Sequence, residues 1–183
     1  MKKRTVEIMD TTLRDGEQTS GMSFSASEKL TISKLLLEEL KVDRIEVASA
    51  RVSKGEFNAV ENIVDWAKSN GYLNKIEILT FLDDGTSLEW LLKTGAKVQN
   101  LLTKGSLNHL THQIKKTPKE HFDEINESIF LAKNEGISTN VYLEDWSNGM
   151  RNSKEYVFDC LDFLTEQSVD RILLPDTLSL IHI

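Results

Sequence analysis

Short apolar runs rich in β-branched residues recur along the chain, and segments with helical apolar spacing separate them. The runs cover residues 6–10, 43–49, 75–81, 97–104, 138–145 and 170–177. Each run has the length and composition of a β-strand. Strand, helix and strand repeating at roughly 30-residue intervals is typical of a parallel sheet with crossover helices. The pattern predicts the α/β class, as a closed (β/α)8 barrel or an open doubly wound sheet.

Helix start and stop signals agree with this pattern. Residues 25–28 and 117–120 both have the spacing of a capping box, and the second has proline at the first helical position. Gly71, Gly95 and Gly136 stand where three of the predicted helices should end.

Two observations favour the barrel over the open sheet. No glycine-rich dinucleotide fingerprint follows any predicted strand, and polar residues concentrate at the carboxyl ends of several strands, where barrel enzymes build their sites. A complete barrel usually needs about 250 residues, whereas this chain has 183. We therefore expect a partial TIM (β/α)8 barrel with about six of the eight βα units, occupying residues 1–177.

Composition excludes several classes of partner. The formal net charge of -7 gives no basic footprint for nucleic acid. The basic start of the chain is followed by too short an apolar segment for a signal peptide or a spanning helix, so we expect no membrane association. The single cysteine, Cys160, lies in an amphipathic stretch typical of a core residue and cannot form a disulfide within the chain. The predicted compartment is the reducing cytoplasm.

The first predicted strand ends in an unusual polar stretch, Asp10 to Gln18, written DTTLRDGEQ. Arg14 and Asp15 would leave the strand side by side, Gly16 would permit a tight turn, and Gln18 would bring an amide to the rim. Such a stretch stabilises a sheet poorly but suits the binding of a cation and an anionic ligand. An ordinary surface pair of Arg14 with Asp15 is the alternative interpretation.

Further strand ends carry acids or hydroxyls. Glu46 is flanked by apolar residues at a position that the two-residue period places inside the barrel, so it should meet a cation, either Arg14 or Arg51. The fifth predicted strand ends near Glu144 and the sixth near Thr177. Repeated acids at one rim indicate divalent metal binding and proton transfer.

His109 and His112 have a spacing that could place both on one helix face. His-x-x-His alone is weak evidence for a metal, and a solvated helix face carrying two histidines is the preferred interpretation.

Five motifs in this order carry a resemblance to a known family: DTTLRDGEQ, IEVAS, Ser106-x-x-His109, LEDW and LPDTL. The chain resembles the α-isopropylmalate, homocitrate and citramalate synthases, within the metal-dependent aldolase and lyase barrels. The resemblance extends to Thr177. Glu17 makes the first motif resemble that of the condensing synthases, because the related hydroxymethylglutaryl-CoA lyases typically have leucine at this position.

The resemblance implies a Claisen-type condensation of acetyl-CoA with a 2-oxo acid, assisted by a divalent metal (Mg, Mn or Zn), in a homodimeric enzyme of branched-chain amino-acid biosynthesis. Asp15 matches the family's metal-ligand position, and Arg14 matches the arginine that holds the developing oxyanion. Glu144 matches an acid assigned to proton transfer or its support. Isopropylmalate synthesis is the first expectation, citramalate the second and homocitrate the third.

Four further positions are assigned to substrate binding. Thr177 matches a hydroxyl that contacts the oxo-acid carboxylate, and His109 belongs to the region around the oxo-acid side chain. Gln18 and Glu46 are assigned to the orientation of the substrate and of the arginine.

The match breaks at the end of the chain. Family members supply two further metal ligands from a His-x-His motif on strand seven, and His182 does not fit that pattern. Residues 178–183 match the translation of a nucleotide sequence that resembles a transposon-end sequencing adapter. We therefore expect these residues to be a non-native tail. The chain is then expected to bind metal weakly and to be inactive. The remaining alternatives are a lyase or carboxyltransferase on the same barrel, and a non-catalytic fragment or partner-binding half barrel.

Overall fold

Residues 6–177 are described by the computed structural model. Six parallel strands form one sheet in chain order: β1 (Met9–Asp10), β2 (Arg44–Ser49), β3 (Ile76–Phe81), β4 (Val98–Lys104), β5 (Ser138–Glu144) and β6 (Arg171–Leu173). The helices are α1 (Ala26–Lys34), α2 (Lys54–Asn70), α3 (Thr86–Thr94), α4 (Pro118–Asn134), α5 (Trp146–Asn152) and α6 (Lys154–Thr165). The predicted α/β class and partial TIM barrel are confirmed. The predicted tail and His182 lie outside the described residues.

The first and last strands are shorter than predicted. The sequence predicts strands over 6–10 and 170–177, but β1 pairs with β2 only through Met9 and Asp10, and β6 pairs with β5 through Arg171–Leu173. Val6 is 88% exposed, so the apolar run there is not strand core. A strand at the end of the described sheet has a hydrogen-bonded neighbour on one side only, which limits how far its pairing extends.

The predicted helix signals are confirmed. The side chains of Ser25 and Thr117 each accept a hydrogen bond from the backbone N–H of the glutamate three residues later, and each glutamate carboxylate accepts one from the backbone N–H of the cap residue. Gly71, Gly95 and Gly136 adopt φ of +78°, +80° and +67°, the left-handed conformation that ends a helix. Helix α1 differs from the prediction in its last part, because residues 35–39 form a π-helical turn.

The described residues form two compact units. Residues 6–79 and 89–98 make the first unit, and residues 80–88 and 99–177 make the second. The core of the first unit contains fully buried isoleucines on β2, β3 and α2 together with Leu91. The core of the second unit joins β4, β5, α4 and α6.

Cys160 lies in the core of the second unit, 1% exposed. Burial raises the pKa of its thiol to about 11. The prediction of a small core residue rather than a nucleophile is confirmed, because a thiol of this kind is protonated at neutral pH.

Strand β2 has a bulge immediately after Glu46. Its pairing with β3 runs from Ile45 and Glu46 directly to Ala48 and Ser49, which leaves Val47 as an extra residue. Bulges of this kind redirect neighbouring side chains. Within residues 6–177 no helix is both long and apolar enough to span a membrane.

Candidate active site

A tight turn follows β1 and carries the predicted site residues. The Thr11 carbonyl accepts hydrogen bonds from the backbone N–H groups of Arg14 (3.1 Å), Asp15 (2.8 Å) and Gly16 (3.2 Å). Three donors on one carbonyl fold the chain back on itself within five residues. Gln18 follows in a short 3-10 turn at Gly16–Gln18.

The Arg14 guanidinium bridges two carboxylates in the first unit. Its Nε donates to Oε2 of Glu46, and its Nη1 donates to Oδ1 of Asp15 at 2.9 Å. Glu46 is fully buried, whereas the Asp15 side chain is 58% exposed. A buried carboxylate is costly without a positive partner, and the fork of a guanidinium can serve two acceptors at once. Arg14 is thus tethered from inside by Glu46 and faces an accessible carboxylate.

A buried lysine, which the sequence analysis did not identify, holds the turn from behind. Lys29 is 1% exposed, and its Nζ contacts Oε2 of Glu17 at 2.6 Å, the Leu13 carbonyl at 3.2 Å and a carboxylate oxygen of Glu56. Burial alone would raise the pKa of Glu17, but hydrogen bonds from Lys29 and from the Phe24 N–H lower it overall. Glu17 is therefore an ionised part of the loop's support.

The same turn lines an open cavity of about 340 Å³ in the first unit. Arg14, Gln18 and Glu17 present polar groups to it. The other lining residues come from the same loop, from β2 and the segment after it, and from α2: Leu13, Ser23, Ser49, Val52 and Glu56. Predicted residues Arg14 and Gln18 are thus brought to one cavity, with Glu46 in contact with the arginine.

Glu144 is the last residue of β5, in the second unit, and it forms an ion pair with Lys104, the last residue of β4. The two side chains are 24% and 16% exposed, respectively. Glu144 is one of the predicted site residues, whereas Lys104 is not. The separation of 40 residues between them explains why local pattern did not reveal the pair.

Asp145 contacts four polar residues of the second unit. It is 3% exposed and adopts φ of +64°, uncommon for a residue other than glycine. Its carboxylate accepts from Ser106 Oγ (2.7 Å) and Asn148 Nδ2 (2.7 Å), and its N–H donates to Thr177 Oγ1 (3.3 Å). His109 Nε2 lies 3.4 Å from the same carboxylate. The predicted residues His109 and Thr177 therefore share one partner that the prediction omitted.

His109 and His112 do not behave alike. His112 is exposed, as a solvated helix face requires, whereas the His109 side chain is only 17% exposed and faces Asp145. The expectation of two solvated histidines is wrong for His109. Both histidines line a cavity of about 480 Å³ in the second unit.

The described residues do not make a complete metal centre. Within residues 6–177 no three His, Cys, Asp or Glu side chains are close enough together to hold a metal ion. Asp15, the predicted ligand, offers one exposed carboxylate that is already bonded to Arg14. Hard divalent ions need several ligands besides water. Residues 6–177 therefore do not fit a divalent ion by themselves.

His121 gives a testable pH dependence in the second unit. It is fully buried, and its Nε2 accepts a hydrogen bond from the Lys104 N–H at 3.2 Å. Burial, aided by the charges of Lys116 and Lys104, lowers the pKa of His121 from 6.5 to about 4. Between these two values the unfolded chain binds more protons than the folded chain, so stability falls as pH falls. The expected contribution is at most about 1.4 kcal/mol per pH unit.

The measurement is urea unfolding of the wild type and His121→Gln between pH 7 and 5. Glutamine keeps an acceptor but does not titrate, so the variant should lose less stability than the wild type over this range. The matched control is His112→Gln, at the exposed histidine, which should follow the wild type. Equal pH slopes for the wild type and His121→Gln would contradict this assignment.

The fold is a partial α/β barrel, and its polar groups lie at the carboxyl ends of the parallel strands. This is the arrangement found in barrel enzymes. The chain belongs to the HMGL-like family, whose model matches residues 5–183. It is 30% identical to a 2-isopropylmalate synthase of Sulfurisphaera tokodaii over 183 residues, covering all of this chain and 45% of that protein. It is also 30% identical to an (R)-citramalate synthase of Sulfolobus acidocaldarius, covering 97% of this chain and 34% of that protein.

Solved structures share the fold at lower sequence identity. The HMG-CoA lyase of Bacillus subtilis aligns with a TM-score of 0.69 at 19% identity, covering 96% of this chain and 59% of the lyase. The HMG-CoA lyase of Acinetobacter baumannii, solved with coenzyme A and 3-methylmalate, aligns with a TM-score of 0.63 at 17% identity, covering 93% of this chain and 56% of the lyase. The chain thus spans less than half of the two synthases and somewhat more than half of the lyases.

Proposed function

We propose that this chain is part of an enzyme that condenses acetyl-CoA with a 2-oxo acid, as a 2-isopropylmalate synthase does. Family membership and the two synthases at 30% identity support this reaction class. In the reaction, a base removes a proton from the acetyl methyl group, and the resulting carbanion equivalent attacks the ketone carbon. The new alkoxide takes up a proton, and water then cleaves the thioester to release CoA.

The observation that carries the proposal is the Arg14 guanidinium, which is tethered to buried Glu46 and lines the cavity together with Gln18. Charge-assisted donors of this kind bind carboxylates and developing oxyanions. Because Glu46 and Asp15 fix two of the guanidinium nitrogens, the group needs little reorganisation when a ligand arrives. Arg14 is the proposed oxyanion and substrate anchor, and Gln18 and Glu46 are its proposed orienting neighbours.

Proton transfer is assigned to Glu144. A carboxylate at the end of a barrel strand is a suitable general base when it is partly exposed and held in place. Glu144 is 24% exposed and bonded to Lys104. His109 and Thr177, joined through Asp145, are the proposed contacts to the 2-oxo acid.

A divalent metal and acetyl-CoA remain the proposed cofactor and co-substrate. When bound, such a metal would polarise the ketone oxygen of the 2-oxo acid. Asp15 is the only ligand that we assign to it within residues 6–177, where no ligand cluster is found. We therefore expect the 183-residue polypeptide to bind Mg²⁺ or Mn²⁺ weakly.

Citramalate synthesis is the second candidate, because an (R)-citramalate synthase is as similar as the first synthase, at 30% identity. The two reactions differ in the 2-oxo acid. One methylene in an apolar pocket is worth only about 1 to 3 kcal/mol, so a panel of 2-oxo acids with different side chains must decide between them.

The test combines calorimetric binding with an assay of CoA release. The 183-residue polypeptide should bind one or more 2-oxo acids, and it should release no CoA above the blank with acetyl-CoA and Mg²⁺ or Mn²⁺. Robust release of CoA would contradict the predicted inactivity while supporting the reaction. Absence of binding to every 2-oxo acid would contradict the proposed function.

A further inference from the structure

Both backbone polar groups of Lys104 are bonded to side chains of the core. Its backbone N–H donates to Nε2 of His121 at 3.2 Å, and its carbonyl accepts from Oη of Tyr156 at 3.0 Å. His121 and Tyr156 are both buried, on α4 and α6. Two core side chains therefore fix the point from which the Lys104 side chain extends. Its ammonium ends on Oε2 of Glu144.

The residues that follow Lys104 also bond to the end of β5. The Gly105 N–H donates to the Glu144 carbonyl at 2.7 Å, and Ser106 Oγ donates to Asp145 at 2.7 Å. A Cβ on Gly105 would lie 2.6 Å from the carbonyl oxygen of Leu143. Two consecutive residues after β4 thus bond to Glu144 and Asp145, and the backbones approach too closely at Gly105 for a side chain there.

We propose that Lys104 is a positioning residue that orients Glu144 and neutralises its charge so that an anionic 2-oxo acid can bind beside it. This inference rests on the proposed function, since it assumes that Glu144 faces such a substrate. A lone carboxylate repels an anionic ligand, whereas a carboxylate paired with an ammonium does not carry net charge. The pairing holds the Glu144 carboxylate in place for proton transfer without that repulsion.

Four variants test the charge argument: Lys104→Met, Lys104→Arg, Glu144→Gln and the double variant Lys104→Met/Glu144→Gln. The matched control is Lys116→Met, which breaks the more exposed pair of Lys116 with Glu124 (2.5 Å). Dissociation constants for a 2-oxo acid are measured by calorimetry on the 183-residue polypeptide.

Lys104→Met should weaken binding by about tenfold or more, because it leaves the carboxylate charge uncompensated. Lys104→Arg should stay close to the wild type, since it restores a cation. The double variant should recover most of the lost affinity, because neither charge remains. A merely structural role predicts the opposite for the double variant, which would bind as poorly as Lys104→Met. That result, or wild-type affinity in Lys104→Met, would overturn the proposal.

The thermal midpoint of the same variants separates this proposal from the proposed function. If the wild type binds no 2-oxo acid, the proposed function and the neutralising role both fail. The thermal midpoints still test whether Lys104 and Glu144 interact. Lys104→Met should lower the midpoint in the wild-type background and have a much smaller effect in the Glu144→Gln background. Equal shifts in both backgrounds would show that Lys104 does not position Glu144.

Discussion

Replacement of Arg14 by methionine is expected to destabilise the chain by about 3–5 kcal/mol, the range found when one partner of a buried ion pair is removed. The reason is the complete burial of Glu46, whose carboxylate would lose the guanidinium that now bonds to it. The measurement is the free energy of unfolding in urea at pH 7.

Two further variants make this expectation specific to the charge pair. Arg14→Met/Glu46→Gln should recover much of the lost stability, because the buried negative charge is removed together with its partner. The matched control is Arg151→Met on α5, where the arginine is exposed and a change within about 0.5 kcal/mol is expected. A small effect of Arg14→Met, similar to that of the control, would show that Glu46 does not depend on Arg14.

Replacement of Gly149 by alanine is expected to cost more than about 3 kcal/mol, above the usual range for overpacking, because the clash involves backbone. A Cβ at Gly149 would lie 2.0 Å from the carbonyl oxygen of Gly105 and 2.8 Å from a methyl carbon of Val157. Relief requires movement of α5 or of the segment after β4. That movement would also displace Lys104 and Ser106, which flank Gly105.

The control is Gly55→Ala in α2, where a Cβ would make only an ordinary contact of 3.7 Å with Ser53. Alanine is the better helix former, so this variant should gain up to about 1 kcal/mol. Thermal unfolding of both variants gives the comparison. A stable, cooperatively folding Gly149→Ala protein with an unchanged midpoint would contradict the close approach of the two glycines.

The elements of the fold were predictable because each depends on local signals. Apolar runs of four to eight residues mark strands, and reciprocal caps such as those of Ser25 and Thr117 fix helix starts within a few residues of chain. Glu46 was predictable for a similar reason, since an acid between apolar strand residues must be buried and must meet a cation.

The supporting residues of the site could not be predicted from local signals. Lys29 stands in the first turn of a helix, where lysine usually faces solvent, and its carboxylate partner Glu56 is 27 residues away. Asp145 adopts a left-handed conformation that its residue type does not require. Only pairing between distant segments explains these positions. One clue was available, because the acid pair Glu144-Asp145 ends a strand and both members proved to be bonded there.

Nitrogen-15 NMR of the arginine side chains during titration with a 2-oxo acid tests the proposed anchor most directly. The Arg14 Nε–H signal is identified by its absence in Arg14→Lys. We predict a saturable shift of this signal with 2-oxo acids, and weaker binding in Arg14→Lys, because lysine cannot keep both carboxylate contacts while binding the ligand. An unchanged Arg14 signal in the presence of a saturating 2-oxo acid would contradict the proposed role of this arginine.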